Sequence, residues 1–382
     1  MLELAAVVAF SILALLAIGL SSAYASHRRS LRASLIRLRD SSRIAETASG
    51  PIEFAEAGDG MPLLVSHGAG GGFDQGLELG RPLLSRGFRI IATSRFGYLR
   101  TPLPADSSAA AQADAHAHLM DVLGIQRAAI LGASAGAPSA VQFAVRYPER
   151  CTALVLLVPL IYKPPELAAS MPKVSPWAET VLMTIVGSDF VFWLASRFAR
   201  DEVIKRVLGT PPEIVQRASP DEKARVRRIL ETIEPISSRI RGILNDARVS
   251  TSLTRYELEK ITAPTLVLSV RDDGYGTFAG AAYTASKIPN ARFSGYEIGG
   301  HLAVGHQTEV IEKIAQFLVH SQKMREAESG ARILLTELVA TQPLRKFNNK
   351  CAQPPPAQKV PVWGGMGQLQ KPKEIVPCRA EL

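Results

Sequence analysis

Short apolar runs alternate with amphipathic segments along most of this chain. Apolar or alternating runs occupy residues 52–56, 62–65, 88–92, 128–131, 152–158, 264–269 and 291–298. Runs of this length are typical of strands, and continuous apolar runs indicate strands buried on both faces of a parallel sheet. Helical patterns separate several of them, notably over residues 108–123. The pattern therefore predicts an α/β fold on a mostly parallel central sheet.

The alternation stops between Pro159 and Ala263. About a hundred residues of helical pattern fill this interval, far more than an ordinary loop contains. The apolar and aromatic residues of 181–198 predict a packing face, with a membrane-facing or acyl-binding surface as the alternative. We expect residues 160–262 to form a helical insertion in the sheet.

A long apolar segment opens the chain. Residues 4–20 are apolar apart from Ser11, which is near the lower length limit for a membrane-spanning helix and longer than most signal-peptide cores. Ala23-Tyr24-Ala25 matches a signal-peptide cleavage site, whereas Glu3 and the lack of basic residues before the segment argue against one. Five arginines follow the apolar run: Arg28, Arg29, Arg32, Arg37 and Arg39.

These arginines set the expected topology. By the positive-inside rule they favour an uncleaved single span over residues 1–25, with a cytoplasmic catalytic body. A secreted or periplasmic protein, formed by cleavage of a signal peptide, is the alternative. Residues 26–49 are a basic juxtamembrane segment, within which residues 27–39 predict an amphipathic helix on anionic headgroups.

The net charge of +9 belongs to the ends of the chain. Residues 1–40 carry +3 (five Arg against Glu3 and Asp40) and residues 325–382 carry +4 (nine Lys or Arg against five Glu), which leaves +2 for the body. No nucleic-acid-binding signature accompanies the charge, so we expect no nucleic-acid partner. The three cysteines have neither a disulfide-framework nor a metal-site spacing.

The C-terminal region has a different composition. Residues 308–321 predict a closing helix, and residues 326–339 a further one. Residues 341–382 contain a Pro-Pro-Pro run and scattered lysines but no periodic apolar positions. We expect residues 324–382 to be a largely disordered tail.

The stretch from Leu131 to Gly136 predicts a nucleophile elbow. Its pattern predicts a strand, a sharp turn and a helix, with Ser134 between Gly132 and Gly136. A serine on such a turn has a strained backbone, and only small neighbours avoid a clash. The turn exposes the serine hydroxyl at the N-terminus of the next helix, where the N–H of Ala135 can stabilise an oxyanion.

A glycine cluster follows the strand at 62–65. Residues 66–72 read Ser-His-Gly-Ala-Gly-Gly-Gly, a composition that lets the backbone approach a ligand with its N–H groups pointing inward. A phosphate loop is disfavoured because the GxxxxGK[ST] pattern is absent. We expect the N–H of Ala69 to form the second half of an oxyanion hole.

Together these motifs resemble the α/β-hydrolase superfamily. The likeness rests on His67-Gly68-Ala69-Gly70-Gly71, on Ser94-Arg95-Phe96-Gly97-Tyr98 and on Gly132-x-Ser134-x-Gly136. It points to the lid-bearing branch, which includes esterases, lipases, C–C hydrolases and cofactor-free haloperoxidases. The resemblance implies a hydrolase domain over residues 50–323 with a helical lid at 160–262. Ser94 and Leu99 stand where the family has an aspartate and a glycine.

The resemblance also implies a catalytic triad in the order Ser, Asp, His. The family's acid follows the strand after the lid, which is Asp273 here, with Asp272 as the runner-up. The histidine is His301, which two glycines precede, with His306 as second choice.

His116 and His118 point to different faces of one predicted helix, which favours surface or half-buried roles over a metal site.

The expected function is therefore that of a serine hydrolase. Ser134, Asp273 and His301 would act through an acyl-enzyme, most favourably on a carboxylic ester of a small or lipophilic substrate. A C–C bond hydrolase or cofactor-free perhydrolase is one alternative, and a catalytically silent, membrane-associated binding protein is another. Serine in the elbow argues against epoxide hydrolase or haloalkane dehalogenase chemistry, which in the resembled fold uses an aspartate nucleophile at that position. We expect no metal or organic cofactor, and the sequence carries no signal for oligomeric state.

Overall fold

The computed structural model describes residues 2–164, 166 and 187–341, with side chains for residues 3–164, 166 and 187–327. Its centre is a single eight-stranded sheet in the order β1-β2-β4-β3-β5-β6-β7-β8. Strands β1 and β2 pair antiparallel, as do β2 and β4, and every other pair is parallel. The strands are β1 Arg43–Thr47, β2 Gly50–Ala57, β3 Met61–Ser66, β4 Phe88–Thr93, β5 Ala128–Ala133, β6 Cys151–Leu157, β7 Thr265–Val270 and β8 Arg292–Tyr296.

The predicted fold class is confirmed, because helices cover both faces of this mostly parallel sheet. One face packs on α3, α4 and α10, and the other on α2 and α11. These helices are α2 Phe73–Leu84, α3 Ala109–Val122, α4 Ala137–Arg146, α10 Phe278–Lys287 and α11 Gln307–Thr341. Each of the seven predicted strands is present.

Strand β1 was not predicted, and it extends the sheet to Arg43, ahead of the expected domain start at residue 50. Only Ala45 of this strand is fully buried, whereas Ile44 is 44% exposed. A short edge strand of this kind shows no apolar run in the sequence. The hairpin that joins β1 to β2 uses Gly50 at φ 90°, a conformation that suits glycine.

The N-terminal segment forms one continuous helix, α1 Leu2–Asp40. Its first half is exposed, and its second half lies on the body through His27, Ser34 and Leu38, which are all buried. These residues recur at the spacing of one helix face. Leu35 and Ile36 are exposed, because the face that packs on the protein lies on another side of the helix.

Five helices stand between β6 and β7 in the described part of the predicted insertion. They pack around their own apolar core, which includes Phe192, Val226 and Ile229. Residues 165 and 167–186 lie outside the described residues. The helices are α5 Asp189–Phe198, α6 Arg200–Val207, α7 Pro212–Arg217, α8 Pro220–Glu231 and α9 Ile240–Thr251.

The closing helix is longer than expected. Helix α11 runs from Gln307 to Thr341 without the break predicted after residue 321, since neither proline nor glycine occurs before Gly330. Residues 324–341, expected within a disordered tail, are therefore helical. The rest of that predicted tail, residues 342–382, lies outside the described residues.

Candidate active site

Ser134 lies on a strained turn between β5 and α4. Its φ is 48°, in the left-handed region, which costs a residue with a side chain about 1–2 kcal/mol. A Cβ atom added at Gly132 would lie 2.6 Å from the Ala140 Cβ, and one added at Gly136 would clash with the Ser66 carbonyl oxygen. Close packing of α4 against β3 and β5 therefore explains why both neighbours of the serine are glycines.

The glycine-rich loop after β3 lies beside this turn. Ser66 pairs with Gly132 in the parallel register of β3 and β5, so the segments that follow the two strands leave the same edge of the sheet. A Cβ atom added at Gly68 would be 3.3 Å from the Ser134 Cβ. The backbone of residues 68–70 thus approaches the serine as closely as a glycine-rich loop allows.

The Gly68 carbonyl determines where the Ala69 N–H points. This oxygen accepts hydrogen bonds from His67 Nδ1 at 2.7 Å, Arg95 Nη2 at 3.3 Å and Gly71 N at 3.3 Å. Because a trans peptide directs its C=O and N–H to opposite sides, the Ala69 N–H points away from these donors. Ala69 is exposed and lines the cavity at Ser134, and its N–H has no acceptor among the described residues.

Ala135 is the second predicted oxyanion donor. It follows Ser134 in the 3-10 turn that leads into α4 and is buried. The first N–H groups of a helix lack intrahelical acceptors. The two predicted donors thus lie on adjacent segments at one end of the sheet, and their roles stay predictions.

His67 is held as a neutral imidazole. It is fully buried, and burial lowers its pKa well below the ordinary value. Its Nδ1 donates to the Gly68 carbonyl, and its Nε2 accepts from the Arg95 N–H at 3.0 Å. The two bonds select one tautomer. The sequence marked His67 only as part of a motif, and the structure assigns it to positioning the loop.

The loop is also tied to the inserted helices. Arg95 forms a buried, bidentate ion pair with Asp246 of α9, at 2.6 and 2.7 Å. The Tyr98 hydroxyl donates to Asp246 at 2.5 Å and accepts from the Gly70 N–H at 3.3 Å. Breaking a buried pair of this kind costs about 3–5 kcal/mol.

Arg239 makes a second connection. Its side chain is fully buried, and its guanidinium donates to the Gly71 carbonyl at 2.7 Å. The same group pairs with Asp74 at 2.9 and 3.1 Å. Two guanidinium groups, Arg95 and Arg239, thus fix the carbonyls on either side of Ala69 in this loop.

His301 is paired with Asp273 rather than with Asp272. His301 Nδ1 lies 2.8 Å from Asp273 Oδ2. The Asp273 carboxylate is buried and also accepts from the Tyr275 N–H at 2.8 Å and from the Thr277 hydroxyl. Asp272 instead accepts from the Gly300 N–H at 2.8 Å. The carboxylate beside His301 is therefore that of Asp273, whose catalytic role stays a prediction, and Asp272 holds the loop that carries the histidine.

His306 occupies a different position. Its Nε2 donates to the Ile298 carbonyl at 2.9 Å, and its ring packs against Tyr296. These contacts fix the far side of the loop that ends β8. No described residue other than His301 presents an imidazole to the cavity at Ser134.

Ser134, His301 and Ala69 line one cavity. The cavity volume is about 170 Å³. It extends between α2 and α11 over an apolar wall formed by Leu79, Leu131, Leu157, Val310, Ile311 and Ile314. The Ser134 hydroxyl makes no hydrogen bond to His301 here, which is common in sites without substrate.

The two departures from the resembled turn have a structural account. The Ser94 hydroxyl donates to Glu53 Oε2 at 3.0 Å and accepts from the Phe73 N–H at 3.2 Å. Glu53 of β2 is buried and thus provides, from a neighbouring strand, the carboxylate that position 94 lacks. Leu99 adopts φ 51°, so the glycine-like conformation is kept at a cost in strain.

The two histidines of α3 have structural partners. His118 Nδ1 lies 2.8 Å from the Ser49 hydroxyl, and buried His116 lies 3.3 Å from the Ser139 hydroxyl. His116 is therefore more deeply buried than predicted, because α3 packs it against α4. Within the part of the chain that the structure describes, no cluster of three His, Cys, Asp or Glu side chains is placed to hold a metal ion.

Acid should destabilise the fold partly through His116. Burial lowers its pKa to about 3, whereas the unfolded chain has about 6.5. The unfolded state then binds more protons between these values, so the free energy of unfolding falls as the pH drops from 6.5 to 3, by up to about 1.4 kcal/mol per pH unit. Urea titrations of His116→Gln should show a shallower pH slope than wild type. The control, His118→Gln, should keep the wild-type slope, and equal slopes for all three would contradict the prediction.

The chain as a whole is similar to known proteins. The model for proteins of the alpha/beta hydrolase fold matches residues 61–305. A 2-hydroxy-6-oxo-6-phenylhexa-2,4-dienoate hydrolase of Comamonas testosteroni is 33% identical over 113 residues, 28% of this chain and 40% of that protein. The enzyme of the same name from Burkholderia cepacia is 23% identical over 275 residues, 69% of this chain and 89% of that protein.

A solved structure agrees with the fold. An alpha/beta hydrolase fold protein from Nakamurella multipartita superposes with a TM-score of 0.56 at 27% identity, over 73% of this chain and 99% of that one. The curated relatives that match at 32% identity or more do so over about two fifths of their own length.

Proposed function

The chain belongs to the α/β-hydrolase fold family, and from that premise we propose that it is a serine hydrolase. In this proposal His301 takes the proton of the Ser134 hydroxyl, whose oxygen attacks the acyl carbon of the substrate. Asp273 holds the imidazole and stabilises its cationic form. The N–H groups of Ala69 and Ala135 bind the oxyanion.

The proton taken by His301 then passes to the leaving group, and water completes the reaction. The imidazolium protonates the leaving group, which departs and leaves Ser134 acylated. Water then gives a proton to His301 as its oxygen attacks the acyl carbon. The imidazolium passes that proton to the departing Ser134 oxygen, which releases the acid and restores the serine. The observation that carries the proposal is the Asp273–His301 pair at 2.8 Å beside a cavity that Ser134 and Ala69 also line.

A carboxylic ester of a lipophilic acid is the substrate class that the cavity favours. Its wall between α2 and α11 is aliphatic, and Ile314 and Leu131 are almost fully buried. Each methylene that such a wall removes from water contributes about 0.8 kcal/mol. The cavity wall therefore favours an extended acyl chain over a compact polar one.

C–C bond hydrolysis is the second candidate, and Arg225 favours it. Both Comamonas testosteroni and Burkholderia cepacia relatives are named for hydrolysis of a dienoate, an anion. Arg225 lines the cavity of this chain, and its guanidinium donates to Glu222 and to the Leu302 carbonyl. Its buried Nε has no partner among the described residues. Arg225 is ion-paired with Glu222, and its unpartnered Nε–H is a donor that suits an anionic substrate.

Substrate kinetics with an Arg225→Met variant separate the two candidates. For p-nitrophenyl esters of increasing chain length we expect hydrolysis by the wild type and a KM within about twofold in the variant. For a 2-hydroxy-6-oxo-dienoate, loss of a charged hydrogen bond of about 1.5–3 kcal/mol would raise KM by roughly 10- to 100-fold. Arg228→Met, which removes a more exposed arginine of the same helix, is the matched control. Turnover of the dienoate without turnover of any ester would reject the ester proposal.

A fluorophosphonate probe tests whether the chain is catalytic at all. Covalent labelling of Ser134 is expected, because the probe reacts with serines activated by a base. Absence of labelling and of turnover on every substrate would support the catalytically silent binding protein instead.

We also propose that α1 is a retained membrane anchor with a cytoplasmic body. Among the described residues, α1 is the one helix long and apolar enough to cross a membrane. The arginines after its apolar half support this orientation. Mass spectrometry of the native N-terminus tests it, and a protein beginning at Ser26 would show that the segment is a cleaved signal peptide.

A further inference from the structure

Helix α5 exposes apolar side chains along one face. Val191 is 38% and Phe198 80% exposed, and Leu194 is partly exposed between them. Positions i, i+3 and i+7 share one side of a helix. Phe192 and Trp193 lie away from this face and are buried, Phe192 in the core of the inserted helices and Trp193 against His27 of α1. Helix α5 therefore has an apolar face inside the protein and a second one, formed by Val191, Leu194 and Phe198, outside it.

The same helix is packed against α1. The ring of Phe190 lies 5.4 Å from the rings of both Tyr24 and His27, and that of Trp193 lies 5.7 Å from His27. Burial lowers the pKa of His27, so a neutral imidazole fits among these aromatic rings. The contact joins the inserted helices to the helix that carries the apolar N-terminal segment.

Helix α1 fixes the distance between α5 and that segment. The continuous apolar run of the proposed span ends at Leu20, and the helix continues without interruption to Asp40. Tyr24 is four residues further, about 6 Å along the axis. With the ring contact of 5.4 Å, Phe190 lies within roughly 12 Å of the end of the apolar segment. The headgroup layer of a bilayer is about 5–8 Å thick on each side, so α5 begins at that depth or just below it.

The charge around this junction is mostly positive. Arg28, Arg29 and Arg32 are exposed on α1, and each basic residue near an anionic surface contributes about 1 kcal/mol. Asp189, the nearby acid on α5, is engaged by the N–H and hydroxyl of Ser237 at 2.8 and 2.6 Å. An apolar helix face beside exposed arginines is the pattern of an interfacial helix.

We propose that α5 lies on the surface of an anionic phospholipid bilayer, with Val191, Leu194 and Phe198 against the lipid. The inserted helices, which supply Leu208 and Ile229 to the cavity, are then held at the membrane by two attachments, α1 and α5. The proposal rests on α1 spanning the bilayer but not on the assignment of the catalytic residues.

Lipid-dependent quenching of a fluorophore tests this contact in the full chain. Cysteine is introduced singly at Val191, Phe198, Leu13 or Ile44, with Cys351 and Cys378 changed to serine; Cys151 is fully buried. Each variant is labelled with a nitrobenzoxadiazole group and reconstituted in phosphatidylcholine–phosphatidylglycerol vesicles with doxyl-labelled lipid. Ile44 is an exposed apolar control, because it follows a helix that extends about 30 Å beyond Leu20.

We expect the doxyl lipid to reduce the fluorescence at Val191 and Phe198 at least threefold, and that at Leu13 similarly. The Ile44 label should change by less than a fifth. Quenching at Leu13 with none at Val191 and Phe198 would overturn the proposal. A label at Val191 or Phe198 whose emission is blue-shifted but not quenched by the doxyl lipid would also overturn the proposal. Protein would then cover the face, either residues 167–186 or a second copy of the chain. Lack of quenching at all four positions would also overturn it, because α1 would not span the bilayer.

Discussion

Ser134→Ala is expected to reduce ester turnover by about 10⁶-fold while leaving the fold intact. The hydroxyl oxygen is the atom that the proposed mechanism joins to the acyl group, and loss of a serine nucleophile in comparable enzymes has an effect of this size. The oxyanion donors would remain and could retain about 10³-fold acceleration over water. Steady-state assays on the best p-nitrophenyl ester measure the loss.

Stability should change little in this variant. Ser134 is only partly buried and its hydroxyl makes no hydrogen bond among the described residues, while alanine adopts φ 48° at a similar cost to serine. Ser139→Ala is the matched control, since its hydroxyl contacts Ser66, His116 and the Gly136 carbonyl. We expect that control to lose about 1 kcal/mol of stability but to keep turnover within about tenfold. Near-native turnover in Ser134→Ala would rule out the serine as nucleophile.

The sequence predicted the elements whose patterns are local. Seven strands carry apolar or alternating runs that are typical of a buried sheet. The elbow could be predicted because Gly132 and Gly136 flank Ser134 within five residues. Parallel pairing of β3 with β5 then places the loop at residues 68–70 beside the serine. Chain order and strand position are therefore enough to bring the candidate site together.

The contacts between side chains that hold the site in place could not be predicted from local patterns. Arg95 binds Asp246, which is 151 residues away, and Arg239 binds Asp74 across 165 residues. No spacing rule connects residues so far apart, because the fold of the insertion decides which side chains meet. The substitution at Ser94 was seen as a departure, but its compensation by Glu53 on β2 required the pairing of strands.

The proposed membrane attachment could likewise be predicted only in part from the sequence. The apolar run and its arginines were visible, and they predicted a span and a basic helix. The burial of His27 against Phe190 and Trp193 was not, because it depends on where α5 packs. A helix face with both basic and apolar residues fits a lipid surface or a protein surface equally well until its neighbours are known.

Asp273→Asn is expected to reduce turnover by about 10³- to 10⁴-fold, whereas Asp272→Asn should cost less than tenfold. The Asp273 carboxylate accepts a hydrogen bond from His301 Nδ1 at 2.8 Å. This bond leaves Nε2 as the unprotonated nitrogen, which receives the serine proton in the proposed mechanism. An asparagine can instead present its N–H₂ to Nδ1, which moves the imidazole proton to Nε2 and removes the base.

The two variants form a matched pair because the neighbouring aspartate has a different partner. Asp272 Oδ1 accepts from the Gly300 N–H at 2.8 Å, and the amide oxygen of asparagine can accept the same bond, so the loop that carries His301 keeps its position. Steady-state assays of both variants, with thermal unfolding as a check on stability, measure the difference. A large loss in Asp272→Asn with little loss in Asp273→Asn would move the acid to Asp272. Equal, small losses in both variants would mean that neither carboxylate acts on His301 during turnover.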